Sequence, residues 1–429
     1  MKNKKKIDHL ILGCVADDFT GASDAASFLA EQGIKTMLFN GIPKKAADVK
    51  GCAAVVIALK TRSIPADQAV QESLQAFDWL RQQGAQQLYF KYCSTFDSTP
   101  KGNIGNVADA VLERYGFKYT LLCPSLPVNE RIVKDGVLYV DGKPIAEGHM
   151  ANHPLNPIWN SNIDELMKPQ SKYSCLVMDK EQMNNADEDI MRSIKSFGED
   201  KEHFYIIPDY ADDADGKRID EIFCRLPFVT GGSGFLAHIA NRIKSEYDCI
   251  AQEKYTERIN GKGIALSGSC SKMTCRQCST YAGHGKTKAV YPKELLNGNT
   301  TVNTLYDFVK AHEADKVLIY SAGATDPNSR IYKDDTEAKA ASSMLEQAMA
   351  AIAKKAYADG YNCIVVAGGE TSGAVALALG FDSFIIGKSV APGVPVMIPA
   401  ENTNVRLVLK SGNFGQEDFF DKAFHMIVA

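Results

Sequence analysis

The sequence predicts an α/β protein of two domains, each a mainly parallel sheet flanked by helices. Three observations carry that expectation. Apolar strand-like runs alternate with helical stretches along the whole chain. Glycine-rich turns follow several of those runs directly, and a polar stretch interrupts the rhythm past the midpoint. At 429 residues the chain is long enough for two or three domains with ample cores.

Taken in order, residues 11–16 read as the first strand, Asp17-Asp18-Phe19-Thr20-Gly21 as the turn after it, and 22–32 as a helix closed by Gly33. Further strands fall at 35–39, 53–59, 87–92 and 120–123, with helices at 66–83 and 103–114 among them. The stretch 129–159 is irregular and rich in Gly, Pro, Asn and His. It holds a hairpin at 137–145, turning on Asp141-Gly142. Strands resume at 175–178, 203–207 and 227–230. A polar helical link at 245–259 contains the boundary near residue 255, giving domains 1–255 and 256–429. The second domain opens with a strand at 263–267, and no repeat or low-complexity tract is apparent.

Composition narrows the function classes. Hydrophobic residues make up 45% and charged residues 23%, as in ordinary globular proteins. With 48 basic and 52 acidic residues, a net charge of −4 gives no reason to expect nucleic acid or an anionic membrane as partner. The basic head 1–6 has no apolar segment behind it and reads as a solvated tail, not a signal peptide. No apolar run approaches the roughly 18–20 residues of a membrane span. Eleven cysteines, scattered through runs such as LLCPS, SCLVM and NCIVVA, read as reduced and buried, which places the chain in the cytoplasm.

Two metal readings compete with plainer ones. Cys270, Cys275 and Cys278, with His284 nearby, have the start of a zinc spacing but no second close pair. His149 and His153 stand four apart, yet Pro154 and Pro157 oppose the regular helix that would aim both at one ion. No metal ligand is assigned.

The chemistry-bearing motifs fall into two sets. In the C-terminal half, the strand 363–367 breaks into Gly368-Gly369-Glu370-Thr371 and opens a small-residue helix at 372–379. Glycines there let a ligand approach the backbone, and a helix N-terminus offers unpaired amides to phosphate. A second glycine turn, Ser411-Gly412-Asn413-Phe414-Gly415, follows another strand, and Ser267-Gly268-Ser269-Cys270-Ser271 makes a third turn with three hydroxyls. Such turns wrap phosphates with amides and hydroxyls. Two tight turns of an ordinary sheet are the bland alternative for the glycine pair. No G-x-x-x-x-G-K-[ST] is present, which excludes a P-loop kinase, and Ser269 lacks the flanking glycines of a nucleophile elbow. Gly232, Gly234 and Ala237 make a G-x-G-x-x-A pattern, an incomplete dinucleotide fingerprint.

In the N-terminal half, Asp17 and Asp18 follow a buried strand at the edge where α/β proteins bind ligands. A carboxylate there accepts a hydroxyl proton or caps the next helix. The loop 91–103 (KYCSTFDSTPKGN) places Lys91 and Lys101 to hold a carboxylate, and Asp97, Ser98 and Thr99 to reach hydroxyls. Its plainer reading is a loop with N-cap chemistry at Ser98 or Asn103. Arg62 is a bidentate carboxylate clamp or a surface ion pair. Asn129-Glu130-Arg131 belongs to a loop near the substrate.

Taken together, ADDFTGASD (16–24), KYCSTFDSTPKGNIG (91–105), CPSLPVNER (123–131), LSGSCS (266–271), GGETSG (368–373) and KSGNFG (410–415) resemble the four-carbon acid sugar kinase family over essentially the whole chain. The form STFDSTPKGN and the ending LKSGNFG are most similar to members acting on 3-oxo-tetronates, whereas relatives acting on threonate or erythronate more often show DSTLRG. The resemblance implies an N-terminal sugar-acid-binding domain and a C-terminal nucleotide-binding domain. It implies ATP contacts at Ser267, Gly368, Gly369, Glu370, Thr371 and Gly412, with Mg²⁺ bridging the phosphates. The implied reaction phosphorylates the C4 hydroxyl. Asp17 is then the expected proton acceptor with Asp18 or Asp97 as substitutes, and Arg62, Lys91 and Lys101 grip the acid. The partners are a small sugar acid and ATP, and a homo-oligomer is left open. D-threonate or D-erythronate phosphorylation is the nearest alternative. An NAD(P)-dependent oxidoreductase and a non-catalytic sugar-acid sensor are alternatives of other classes.

Overall fold

Five-residue runs such as LGCVA (Leu12–Ala16) and AVVIA (Ala54–Ala58) bury every residue. Continuous burial is the mark of strands covered on both faces, as helices cover a parallel sheet. The computed structural model describes residues 4–7, 9–43, 49, 51–148, 151, 157–248 and 257–429. The chain divides into two units, Met1–Gln252 and Glu253–Ala429.

The strands of the first unit are β1 (Lys5–Lys6), β2 (Leu12–Ala16), β3 (Thr36–Asn40), β4 (Ala54–Ala58), β5 (Gln87–Lys91), β6 (Tyr119–Cys123), β7 (Arg131–Lys134), β8 (Val137–Val140), β9 (Lys143–Pro144), β10 (Cys175–Met178), β11 (Phe204–Pro208), β12 (Phe228–Gly231) and β13 (Tyr247–Asp248). Its main sheet runs β10-β11-β6-β12-β5-β2-β4-β3, with every pair parallel. From β2 the chain builds β3 and β4 to one side and then crosses to β5 on the other. The strand ends at β2 and β5 therefore flank a topological switch point, where such sheets open a ligand crevice. The helix Ala66–Gln82 turns Ala69, Ala76, Phe77 and Leu80 inward. Phe77 meets Phe90 and Phe228 edge-on at 6.5 and 5.8 Å. Each such buried side chain contributes roughly 1.5–3 kcal/mol. That packing holds the β5 end in place.

The second unit contains β14 (Lys262–Ser267), β15 (Lys286–Val290), β16 (Val317–Ser321), β17 (Tyr361–Ala367), β18 (Ser383–Ala391), β19 (Val394–Pro399) and β20 (Arg406–Lys410). Their order is β18-β19-β20-β17-β14-β16-β15. The pairs β18–β19 and β19–β20 are antiparallel and the others parallel. From β14 the chain builds β15 and β16 to one side and then crosses to β17 on the other, so the ends of β14 and β17 flank a second switch point.

The expected α/β class with mainly parallel sheets is therefore the observed one. Several details differ. The helix after β2 starts at Phe19, not Ala22, because Asp18 in extended conformation caps it and accepts from the Gly21 amide at 3.0 Å. The hairpin on Asp141-Gly142 is present, with both residues at positive φ (52° and 76°). It belongs to a three-stranded antiparallel sheet, because a second pair, Asp135-Gly136 (52° and 72°), turns β7 into β8. The basic head is not merely a tail: Lys5–Lys6 pairs in parallel with Tyr247–Asp248. Of the polar link, residues 245–246 end the helix Gly234–Glu246, but the described remainder, 247–248 and 257–259, is not helical. The core of the link, and His149 and His153, lie outside the described residues.

Candidate active site

In the first unit, Asp17 leaves β2 with its amide bonded to the Lys91 carbonyl at 3.1 Å, and its own carbonyl accepts from Thr61 at 2.9 Å and Arg62 at 3.2 Å. Three strand ends are thus tied by backbone alone. Asn103 reinforces the tie. It stands at the N-cap position, as the plainer reading of the loop allowed, but makes no side-chain cap bond and donates to the carbonyls of Thr61, Arg62 and Ile64 at 2.6, 3.3 and 3.0 Å. The loop that carries Arg62 is therefore fixed from the helix Ile104–Tyr115 behind it.

Arg62 uses this position to gather three acids. Its Nε and Nη2 donate to the two oxygens of Asp17 at 3.0 and 2.8 Å, and Nη2 also donates to Asp18 at 2.7 Å. Nη1 lies 3.7 Å from Asp97. Burial pushes the Asp17 carboxyl above its usual range despite Arg62, whose single charge is divided among neighbours. For Asp18 burial acts in the same direction, but Arg62, Lys91, the Thr20 hydroxyl and the Gly21 amide outweigh it and hold that carboxyl low. Lys91 is buried, which disfavours its charge, yet Asp24 and then Asp18 keep it protonated above the ordinary lysine range. Its Nζ stands 3.7 Å from Asp24. Gly21 makes room beside it: a Cβ there would press on Asp18 Oδ1 and sit 2.7 Å from that Nζ, so both side chains would have to shift.

Asp17, Thr61, Arg62, Asp97, Ser98 and Asn103 line one recess, floored by Phe90 and Ile104. Phe96, just before Asp97, is held at φ 49°, in the left-handed region, so the loop is strained where it presents that acid. Asp97 Oδ1 is buried with no hydrogen-bond partner. The loop does not bring all its candidates here. Ser98 reaches the recess wall with its hydroxyl donated to Gln170 Oε1 at 3.1 Å, but Thr99, whose Oγ1 accepts from the Lys101 amide at 3.2 Å, and the exposed Lys101 are not among the lining residues. Asp24, Thr61 and Gln170 were not foreseen; the sequence placed no strand end or turn signal at any of them.

In the second unit, the expected nucleotide residues come together at the β14/β17 switch point. The Gly268 amide donates to Ala367 at 3.1 Å and the Gly368 amide to Lys410 at 2.9 Å, linking the ends of β14, β17 and β20. A Cβ on Gly268 would collide with Thr371 Oγ1, and one on Gly412 would sit 2.8 Å from Ser271 Oγ and 3.0 Å from Ser269 Oγ. The three turns therefore approach as closely as glycine permits. Gly368, at φ 119°, is the N-cap of the helix Gly369–Leu379 and supplies no side-chain cap. That helix start keeps its amide polarity for an incoming anion. Glu370 is exposed on its first turn. Ser267 departs from expectation in one respect: the residue is fully buried at the end of β14, and its hydroxyl accepts from the Cys278 thiol at 3.7 Å.

The other motifs resolve differently. Cys270 donates to Ser321, Cys275 to the Cys270 carbonyl, Cys278 to Ser267, and His284 pairs with Asp421. No group of three His, Cys, Asp or Glu that could hold a metal occurs among the described residues. Gly232 and Gly234 are packing glycines: a Cβ on either would press on the carbonyls of Pro124 (2.6 Å) or Ser125 (2.5 Å). No described helix is long and apolar enough to cross a membrane.

A carboxylate-lined recess in the first unit and a glycine-turn cradle in the second are features expected of a two-domain sugar kinase. Comparison with known proteins agrees. Residues 12–239 match the model of a sugar-binding N-terminal domain, and 264–420 that of a nucleotide-binding C-terminal domain. The 3-oxo-tetronate kinase of Actinobacillus succinogenes is 40% identical over 427 residues, covering 98% of this chain and 100% of its own. That of Brucella melitensis biotype 1 is 39% identical over 422 residues, covering 96% and 94%. A crystal structure from Salmonella typhimurium LT2, which carries the description tRNA synthase, superposes with a TM-score of 0.83 at 37% identity, covering 96% of this chain and 98% of that one. A Haemophilus influenzae protein does so at 0.75 and 36%, covering 96% and 99%. The chain belongs to the four-carbon acid sugar kinase family, ATP-dependent phosphotransferases with an alcohol group as acceptor.

Proposed function

We propose that this kinase transfers the γ-phosphoryl group of ATP to the C4 hydroxyl of a 3-oxo-tetronate, giving the 4-phosphate and ADP. The observation that carries the reading is the convergence of the turns at Ser267–Ser271, Gly368–Thr371 and Ser411–Gly412 around one amide-rich opening. Phosphoryl transfer asks a protein for positioning and charge stabilisation more than for covalent chemistry, and bare amides at a helix start supply both.

In this reading residues 1–255 hold the sugar acid and 256–429 hold ATP. Gly368, Gly369, Glu370, Thr371 and Gly412 bind the nucleotide, with the buried Ser267 beneath them ending β14. Mg²⁺ needs few protein ligands when phosphates supply the rest, so a cradle with the single carboxylate of Glu370 fits it. When bound, it would neutralise phosphate charge. Asp97 is the preferred proton acceptor, because both oxygens of Asp17 are engaged by Arg62 and Asp18 caps a helix, whereas Asp97 Oδ1 has no partner. Asp17 and Asp18 then fix Arg62, and Arg62 and Lys91 offset the substrate's negative charge, with Ser98, Thr99 and Lys101 bordering its entry. The ten described cysteines are free thiols, which supports a cytoplasmic setting.

Coupled ADP-release assays on 3-oxo-tetronates, D-threonate and D-erythronate test the substrate. The highest kcat/KM on a 3-oxo-tetronate supports the proposal. Preference for either aldonate, or no ADP from any of them, overturns it.

A further inference from the structure

Lys410 is the last residue of β20, and it is buried to 1% exposure. Burying an ammonium is costly unless its donors are satisfied and its charge is offset. All three donors are satisfied: Nζ donates to Thr274 Oγ1 at 3.0 Å, the Ser411 carbonyl at 3.1 Å and the Gly412 carbonyl at 2.7 Å. The charge is not offset. Among the described residues no carboxylate lies within 4.0 Å of Nζ. The ring of Phe419 lies 5.5 Å from it, on the helix Phe419–Ile427. The titratable group facing it is the Cys278 thiol on the helix Lys272–Ala282, and burial pushes that thiol to about 12, so it stays uncharged. A cation without an anion, placed behind a glycine turn of an anion-binding cradle, calls for an explanation.

Peptide planarity supplies one. In a trans peptide the carbonyl of one residue and the amide N–H of the next point in opposite directions. Drawing the Ser411 and Gly412 carbonyls toward Nζ therefore turns the Gly412 and Asn413 N–H groups away from it. Neither amide donates a hydrogen bond within the chain among the described residues. Thr274 locks the arrangement by donating to the same Gly412 carbonyl at 2.6 Å, and Ser271 ties Thr274 to the β14 turn at 3.1 Å.

We infer that Lys410 is the positioning residue of the nucleotide cradle, aiming the Gly412 and Asn413 amides at phosphate and lending that phosphate its unpaired positive charge. The inference rests on reading this cradle as the ATP site. Without nucleotide, burial lowers the lysine to about 7. A nearby polyphosphate favours the charged form, so nucleotide binding and protonation of Lys410 reinforce each other. Affinity should then weaken as pH rises from 6.5 to 8.5.

The test is calorimetric titration of the full chain with ADP across that range, repeated with Lys410→Met, which keeps most of the volume. The expected wild-type result is a Kd that weakens severalfold toward pH 8.5. In Lys410→Met the Kd should be at least about tenfold weaker at pH 7, the scale of a lost charge-assisted interaction, and no longer vary with pH. The acceptor KM, which belongs to the first unit, should not move. A wild-type Kd independent of pH overturns the inference, even if the variant cannot be purified folded. So does a variant that retains wild-type affinity. Failure of the wild-type chain to bind ADP at any pH would instead overturn the assignment of the cradle to nucleotide.

Discussion

Replacing Arg62 by methionine removes the guanidinium that Asp17, Asp18 and Asp97 share. Breaking a buried ion pair from one side costs about 3–5 kcal/mol, because the remaining charge is stranded. The Arg62 and Asp18 side chains are 20% and 25% exposed, and water can partly solvate what is left, so the lower end, about 3 kcal/mol, applies. For a unit of this size each kcal/mol moves the melting point by roughly 2–4 °C. The variant should therefore melt roughly 6–12 °C below the wild type at pH 7.5. The pH dependence follows from the carboxyls. In the wild type, Asp18 is held low and contributes stability that is present above its unfolded pKa and lost as pH falls through its folded value. Without Arg62 that contribution disappears. Asp17, already raised by burial, rises further, and its penalty grows as pH increases above the carboxylate range. Lowering the pH to 5 should thus relieve the variant more than the wild type and narrow the gap. Thermal unfolding of both proteins at pH 7.5 and 5.0 measures this. A gap under 1 °C at pH 7.5, or one that widens at pH 5, would refute the shared-cation argument.

Asp97→Asn should lower turnover at least ~10²-fold, the scale of a lost general base, with the ADP affinity unchanged by calorimetry. If Asp97→Asn turns over normally while Asp17→Asn does not, the proton passes to Asp17 instead. Gly268→Ala forces a Cβ against Thr371 and should raise the KM for ATP tenfold or more, while acceptor binding measured without nucleotide stays at the wild-type value. Chelation by EDTA should abolish ADP release, and added Mg²⁺ should restore it. Residual activity in excess chelator would exclude the metal from the reaction.

The two candidate sites were unequally legible, and the reason is physical. The proposed nucleotide cradle is made of backbone. A backbone that must approach a ligand, or adopt the 119° φ of Gly368, writes glycine into the local sequence, so the three turns could be found one by one. Their convergence then followed from strand order, because the turns end the neighbouring strands β14, β17 and β20 at the β14/β17 switch point. The acceptor recess is made of side-chain pairings between distant positions: Arg62 with Asp17, 45 residues apart, and Asn103 with Thr61, 42 apart. No local pattern records such a pair, so the sequence could not show that Asp18 caps a helix while both oxygens of Asp17 face a guanidinium. Lys410 falls between the two cases. It follows the apolar run LVL directly before a glycine turn, so its position was visible, but its meaning was not. A strand-terminal lysine normally reaches solvent. Only the packing of Thr274 and Phe419 over its ammonium turns it inward, and those neighbours come from two helices, one of them more than a hundred residues away. A charge buried by its tertiary neighbours can be recognised as functional only after the fold has shown that nothing nearby neutralises it.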